Sequence, residues 1–207
     1  MPPCSFALVH ETPQTSALSE SAGLEDGLNT WTTLESREIY SNPWINLRED
    51  RVLRPDGQPG IYGVVRFANK AIGVVALNNE GKIALVGQWR YPLGAYSWEI
   101  PEGGGPLEQD PLDAAQRELA EETGLVAVEW NLLLRMHLSN SVTDEEALIY
   151  LATGLTQGQA TPDGSEDLQV SWVSLQEAWS LVQEGRISDA ISVAAIQAMI
   201  IRHLTQP

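Results

Sequence analysis

The sequence contains little of what disulfide-stabilised or nucleic-acid-binding proteins need. Cys4 is its only cysteine, so no intrachain disulfide can form, which fits a reducing compartment. Positive charge is also scarce: 12 lysines and arginines stand against 28 aspartates and glutamates, giving a formal net charge of −16. Such a surface repels phosphate backbones, so we expect no nucleic-acid partner. The acidic excess suits a protein that binds divalent cations, although many proteins are acidic for solubility alone.

Long hydrophobic runs are lacking as well. The most apolar segment, residues 187–204, contains Asp189, Arg202 and His203, and is therefore typical of a core helix and not of a membrane span. The N-terminus shows neither the basic nor the long apolar part of a signal peptide, so we expect a cytoplasmic protein with no membrane partner. The three histidines share no ligand spacing, which gives no indication of an imidazole metal site.

The distribution of residues predicts an α/β (α+β) fold. Residues 1–30 are rich in Ser, Thr, Glu, Pro and Gly without a clear period, which indicates a flexible extension. Three short alternating runs between 31 and 67, separated by "SNP" and "PDGQPG", predict antiparallel strands. More strands follow in 68–207, with one helix among them and two closing helices at 175–183 and about 189–204. Mixed strands and helices in this order favour a mixed β-sheet with helices packed on its faces. The further strands are predicted in "AIGVVALN", "KIALVGQWR" and "YSWEI", and at 126–136, 147–152 and 168–173.

One helix is marked at both ends. Asp110 is a natural N-cap, Pro111 suits the first helical position, and Gly124 suits the left-handed residue that follows the last turn. An apolar stripe runs along the segment between them, so one face of the helix is expected to be buried. The stripe consists of Leu112, Ala115, Leu119 and Leu125.

Three glutamates cluster on this helix. Glu118 and Glu122 are four residues apart and project from one face, Glu121 borders that face, and Arg117 is four residues before Glu121. Without a cation the carboxylates repel one another. With Mg²⁺ or Mn²⁺ they form a site, because hard cations bind carboxylate oxygens while keeping waters and substrate phosphates. An acidic pair alone is more typical of a solvated face, so the choice depends on its spacing from the glycines that precede the helix.

The segment from Gly103 to Leu125 resembles the Nudix box of the Nudix hydrolases, G-x5-E-x7-R-E-U-x-E-E-x-G-U, in which U is apolar. Every specified position matches except one: Gln109 stands where the family has its first glutamate. An amide cannot supply the charge of a carboxylate, so we expect weaker metal binding or an altered pH dependence. A non-catalytic sensor that binds nucleotide sugars is the alternative that Gln109 leaves open.

The resemblance implies a loop–helix–loop that holds divalent cations, Mg²⁺ or alternatively Mn²⁺, on a diphosphate. Glu118 and Glu122 would be the main metal ligands, Glu121 would support them, and Arg117 would orient the glutamates by hydrogen bonding. A backbone carbonyl would also reach a metal, and the glycines would let the main chain approach closely. That carbonyl is implied to belong to Glu102 or Gly103.

A narrower resemblance covers most of the chain. "GQWRYPLGAYSWEIPEG", ahead of the box, is similar to ADP-ribose pyrophosphatases, which carry a Q-x-R-x-P element followed by W-E-x-P-x-G. "GRISDAISVAAIQ" resembles their closing helix, and residues 31–67 resemble the N-terminal β-region through which they form dimers, leaving 68–207 as the Nudix hydrolase domain. The resemblance implies a homodimer that cleaves ADP-ribose to AMP and ribose 5-phosphate. Another nucleoside diphosphate sugar or a dinucleotide is the alternative substrate.

Four substrate-site positions follow from this resemblance. Arg90 would contact a phosphate or the terminal ribose, unless it forms a salt bridge with a nearby carboxylate. Trp44 and Tyr62 would sandwich the adenine, unless they are core or dimer-interface aromatics. Glu99 would lie near the metals or act as an ion-pair partner of Arg90.

Hydrolysis also needs a general base for the attacking water. ADP-ribose pyrophosphatases place a glutamate for this role on a loop after the box, and two loops here carry carboxylates. "TPDGSEDLQV" resembles the family's loop better, so Glu166 is the predicted base. "SVTDEEALIY" is the alternative, and solvated turn carboxylates would explain either loop without a catalytic role.

Overall fold

The computed structural model describes residues 27–159 and 168–205. Glu166, Cys4 and nearly all of the predicted extension therefore lie outside the described residues. No helix in the described ranges is long and apolar enough to cross a membrane. The elements in chain order are β1 (Thr32–Ser41), β2 (Ile45–Leu53), β3 (Pro59–Phe67), β4 (Asn69–Ala76), β5 (Lys82–Arg90), β6 (Ala95–Glu99), β7 (Glu102–Pro106), α1 (Pro111–Thr123), β8 (Leu125–Val126), β9 (Glu129–His137), β10 (Glu146–Thr153), β11 (Thr156–Gln157), β12 (Gln169–Ser174), α2 (Leu175–Gln183) and α3 (Ala190–Thr205).

The first three strands form a separate antiparallel sheet of order β1-β2-β3, as the alternating pattern predicts. Asn42 makes the first turn, because its side-chain oxygen accepts from the backbone N–H groups of Trp44 and Ile45 at 2.9 and 2.8 Å. The second turn contains Gly57, whose φ of 78° suits glycine. The asparagine turn places Trp44 at one end of this sheet, where its carbonyl accepts from the backbone N–H of Ala68 at 2.9 Å.

The remaining strands form a mixed β-structure with helices on both sides. The sheet of order β7-β4-β10-β9 contains the parallel pair β4–β10, and a second sheet has the order β12-β5-β6. Strand β4 is buried on both faces: Ile72 and Val74 pack with Leu119 of α1, whereas Val75 packs with Ile191 and neighbouring residues of α3. The predicted α/β (α+β) fold is thereby confirmed.

Helix α1 follows the predicted caps. The side chain of Asp110 accepts from the N–H of Leu112 at 2.9 Å, and Gly124 has a left-handed φ of 70° with its N–H bonded to the carbonyl of Ala120. The predicted strand at 126–136 is instead divided into β8 and β9. Both closing helices are present within one residue of the predicted bounds.

The glycine-rich segment before α1 is not a loop but strand β7, antiparallel to β4. Glycine disfavours strands, which is why the sequence pattern did not predict this one. The glycines are required by close packing: a Cβ at Gly103 would lie 2.2 Å from the Glu118 carboxyl carbon, and a Cβ at Gly105 would lie 2.9 Å from Ile72. Because Gly103, Gly104 and Gly105 lack side chains, β7 can lie directly against the acidic face of α1.

Candidate active site

Two glutamates of the box are buried beneath β7. Glu118 is 8% exposed and Glu122 is 4% exposed, so neither belongs to a solvated acidic face. Oε2 of Glu122 accepts from the backbone N–H of Glu102 at 3.0 Å, while the Glu118 carboxylate lies against the α-carbon of Gly103. Buried carboxylates must be paired, hydrogen-bonded or bound to a cation, and the first glycine of the box makes room for one of them.

Arg117 connects two of the glutamates with the backbone of β7. Its Nη1 pairs with Glu121 at 2.8 Å, and its Nη2 pairs with Glu118 at 2.9 Å and donates to the carbonyl of Gly104 at 2.8 Å. The planar guanidinium holds these three groups in a fixed arrangement. The predicted i, i+4 pair with Glu121 is therefore present, and Glu121 remains partly exposed at the edge of the site.

Arg90, at the end of β5, forms the salt bridge that was the alternative to a phosphate contact. Its Nε donates to both carboxylate oxygens of Glu99 at 3.1 and 3.0 Å, and its Nη2 also contacts Glu99. The same Nη2 donates to Oε1 of Glu102 at 2.8 Å. Burial disfavours the charged guanidinium, but the two carboxylates outweigh that effect and raise the pKa of Arg90.

The side chain of Glu102 is a site group that the sequence analysis missed, since only its backbone carbonyl was considered. Its Oε2 is buried and accepts no hydrogen bond from the described residues. Burial, followed by the charges of Asp189 and Glu99, raises the pKa of Glu102 well above its ordinary value, and Arg90 offsets only part of this rise. The glutamate that precedes the three glycines in "PEGGG" was the sequence feature that could have indicated this site group.

Of these groups, Arg90, Glu102, Gly103 and Gly104 line one cleft of about 470 Å³. Trp44, from the turn between β1 and β2, also lines it, with 67% of its surface exposed. The structure thus brings Trp44 and Arg90 together, although they are far apart in the sequence. Tyr62 lies elsewhere: its hydroxyl donates to the carbonyl of Ser141 at 2.6 Å and its ring meets Trp31 edge-on.

The second carboxylate loop also reaches this cleft. Glu145 lines it, and burial, together with the charges of Asp144 and Asp189, raises the pKa of this side chain. The carboxylates on either side of Glu145 bind other groups. Glu146 pairs with Lys70 at 2.8 Å, and Asp144 accepts from the N–H of Phe67 at 3.1 Å.

The donor chemistry of the site fits a hard divalent cation. Carboxylate oxygens and backbone carbonyls are the ligands that Mg²⁺ prefers. The Oε2 of Glu102, which accepts no hydrogen bond from the described residues, is available as such a ligand atom. Arginines hold several of these carboxylates, and over residues 27–159 and 168–205 no three His, Cys, Asp or Glu side chains form a ready-made metal group. A bound cation would therefore have to replace an arginine as the partner of some of these carboxylates.

Gln109 lies away from these carboxylates. It precedes α1, and a helical rise of about 1.5 Å per residue puts the first residue of the helix about 10 Å along the axis from Glu118. Glu122 lies one turn farther on. The missing carboxylate therefore removes charge from the start of the helix and not from the buried pair.

Comparisons with known proteins agree with this geometry. The family model of the NUDIX domain matches residues 68–195, and that of the nucleoside diphosphate sugar hydrolase N-terminal domain matches residues 31–65. A methanol dehydrogenase activator of Bacillus methanolicus is 35% identical over 80% of this chain and 90% of its own. An ADP-ribose pyrophosphatase of Mycobacterium tuberculosis is 32% identical over 81% of this chain and 82% of its own.

A solved structure supports the fold. The crystal structure of an ADP compounds hydrolase superposes with a TM-score of 0.76 at 18% identity and covers 84% of this chain and 95% of its own. The matched family model spans more than half of the chain and includes the buried glutamates, Arg117 and the glycine strand. The chain therefore belongs to the Nudix hydrolase family of enzymes.

Proposed function

We propose that this enzyme is a Mg²⁺-dependent pyrophosphohydrolase that cleaves the diphosphate of ADP-ribose to AMP and ribose 5-phosphate. One observation carries the proposal: a single cleft is lined by Glu102 and the first glycines of the box, by Arg90, whose guanidinium suits oxyanions, and by Trp44, whose exposed ring suits a base. The likeness to an ADP-ribose pyrophosphatase over four fifths of the chain supports this substrate.

Glu118 and Glu122 would hold the cations, Glu121 would support them, and the backbone carbonyl of Glu102 or Gly103 would complete the set. A bound cation neutralises the diphosphate and lowers the pKa of a coordinated water. Arg117 keeps Glu118 and Glu121 in register with β7 through its three contacts. Mn²⁺ fits the same oxygen donors.

Arg90 and Trp44 would hold the substrate. The Arg90 fork, oriented in the free enzyme by Glu99 and Glu102, suits a phosphate oxygen or the terminal ribose. Trp44 would stack on the adenine, with Tyr62 contributed from the N-terminal sheet of a second copy. Glu166 is proposed as the general base, and Glu145, from the alternative loop, is a described carboxylate of the cleft that would take the role instead.

A cytoplasmic homodimer is part of the proposal. The N-terminal sheet exposes several large apolar side chains, more than a strand face in water usually carries. A second copy that covers this sheet would bury them and place its aromatic rings near the cleft. The exposed apolar side chains of this sheet are Leu34, Ile39, Tyr40 and Ile61, with 51%, 47%, 54% and 71% of their surface exposed.

Another nucleoside diphosphate sugar, or a dinucleotide, is the second candidate substrate. The match of residues 31–65 to a nucleoside diphosphate sugar hydrolase domain favours it, because that description names no base. Stacking on Trp44 is also tolerant of base identity. The phosphate and metal groups would act in the same way on either substrate.

A substrate comparison tests the proposal. The enzyme is given ADP-ribose, GDP-mannose, UDP-glucose and NAD⁺ in turn with excess Mg²⁺, and the products are resolved by chromatography. We expect the highest kcat/KM for ADP-ribose, with AMP and ribose 5-phosphate in equal amounts. A higher kcat/KM for another compound would replace the substrate and keep the reaction, whereas no cleavage of any of them would contradict the proposal.

A further inference from the structure

The unsatisfied carboxylate of Glu102 points to a ligand that the box motif does not specify. Arg90 satisfies Oε1 at 2.8 Å, but the buried Oε2 receives no donor from the described residues. The side chain is only 12% exposed, so water does not freely compensate it. A buried carboxylate oxygen without a partner is costly, and a native protein retains such a group where something binds to it.

Asp189 is the group that faces this oxygen. It precedes α3, and its Oδ2 caps the helix by accepting from the N–H of Ser192 at 2.7 Å. Its carboxylate lies close enough to that of Glu102 for its charge to add to the effect of burial and raise the pKa of Glu102, and both side chains line the cleft. Two carboxylates are both acceptors, so this proximity requires a proton or a cation between them.

We propose that the side-chain carboxylates of Glu102 and Asp189 form a divalent-cation site in the cleft, next to the buried glutamates of the box. Mg²⁺ is commonly held by one or two carboxylates while waters and substrate phosphates fill its other positions, so this pair suffices. The site would link β7 to the first turn of α3. It rests on the proposed function, since the phosphates of the substrate would complete the coordination.

The position of Glu102 explains how the Glu102–Asp189 pair can act together with the glutamates of the box. The residue that offers Oε2 to the cleft also donates its backbone N–H to Glu122 at 3.0 Å. A cation on the Glu102 side chain would therefore be held by the same residue whose backbone N–H binds Glu122.

Mn²⁺ binding without nucleotide tests the site. Free Mn²⁺ is followed by electron paramagnetic resonance, and total binding by titration calorimetry, for the wild type, Glu102→Gln and Asp189→Asn. Asparagine is also a good N-cap, so the second variant retains the start of α3. We expect each variant to bind one ion fewer or to bind it about tenfold more weakly. Glu80→Gln, which removes an exposed carboxylate that does not line the cleft, should bind Mn²⁺ as the wild type does.

Thermal unfolding keeps the test independent of activity. Glu102→Gln should be folded without metal, and adding Mg²⁺ should raise its unfolding temperature less than that of the wild type. Unchanged Mn²⁺ binding and an unchanged Mg²⁺ effect in both cleft variants would overturn this inference, while cleavage of ADP-ribose by the wild type would leave the proposed function intact. Glu102-dependent Mn²⁺ binding in a protein that cleaves no nucleotide would support this inference and contradict the proposed function.

Discussion

The backbone N–H of Glu102 donates to Oε2 of Glu122 across a distance of 3.0 Å. This bond joins the first residue of β7 to the last turn of α1, and the glycines that follow it keep the strand in contact with the acidic face of the helix. The buried carboxylates are therefore fixed by the main chain as well as by Arg117. A charge cluster that would repel itself in water becomes a rigid set of oxygen donors.

Gly103→Ala should disable the site. The new methyl group would lie 2.2 Å from the Glu118 carboxyl carbon, so either the carboxylate or β7 has to move. We expect a loss of stability of about 1–3 kcal/mol, typical of overpacking, together with a larger relative loss of hydrolytic activity. Denaturant unfolding and kcat/KM measure the two effects. Gly63→Ala is the matched control because nothing lies within 4 Å of its added Cβ, and equal behaviour of the two variants would contradict the account.

Arg117→Lys should impair catalysis although charge is conserved. A lysine cannot contact Glu118, Glu121 and the carbonyl of Gly104 together, as the guanidinium does. We expect kcat to fall by about tenfold or more, as for other groups that orient metal ligands, and KM to change less than kcat. The surface substitution Arg37→Lys serves as the control. An Arg117→Lys enzyme with full kcat would exclude the orienting role.

Trp44→Ala should weaken substrate binding more than turnover. Base stacking on an aromatic ring contributes about 1–3 kcal/mol, which corresponds to roughly a 5- to 150-fold increase in KM. Trp44→Phe preserves a ring and should recover much of the affinity. Steady-state kinetics on ADP-ribose separates KM from kcat. If both variants had the wild-type KM, Trp44 would not contact the base.

Stability without metal should depend on pH through Glu102. Its folded-state pKa is raised by burial, so the folded state binds this proton more tightly than the unfolded state does. Folding therefore becomes less favourable as the pH rises from the unfolded pKa of about 4.3 to the folded pKa, and the loss persists above it. Glu102→Gln lacks this proton, so it should gain stability relative to the wild type across that range. Urea unfolding in chelator at several pH values measures the difference, and a difference that is constant with pH would contradict the raised pKa.

Much of this architecture is predictable from local sequence. Asp110 and Gly124 mark the ends of α1 because capping depends on a few neighbouring atoms, and helical spacing alone puts Glu118 and Glu122 on one face. The turn residues likewise define the three strands of the N-terminal sheet. These features depend on residues within a few positions of one another.

Features that depend on tertiary packing were not predictable in this way. Strand β7 exists because glycines fit beneath Glu118, against their own strand propensity. The sequence offered Glu99 as one of two alternatives for Arg90, and the structure adds Glu102 to the same guanidinium. Only the fold brings Trp44 into the cleft with Arg90 and Asp189.

Hydrolysis of ADP-ribose in excess Mg²⁺ by the wild type and by Glu122→Gln tests the central claim most directly. Glutamine preserves the shape of the side chain and can still accept the hydrogen bond from Glu102, but it removes the buried charge that would hold the cation. We predict that the wild type releases equal amounts of AMP and ribose 5-phosphate and that the folded variant loses at least about a hundredfold in kcat, since it lacks a direct metal ligand. A Glu122→Gln enzyme that cleaves ADP-ribose at the wild-type rate would show that the buried glutamates do not serve metal-assisted hydrolysis.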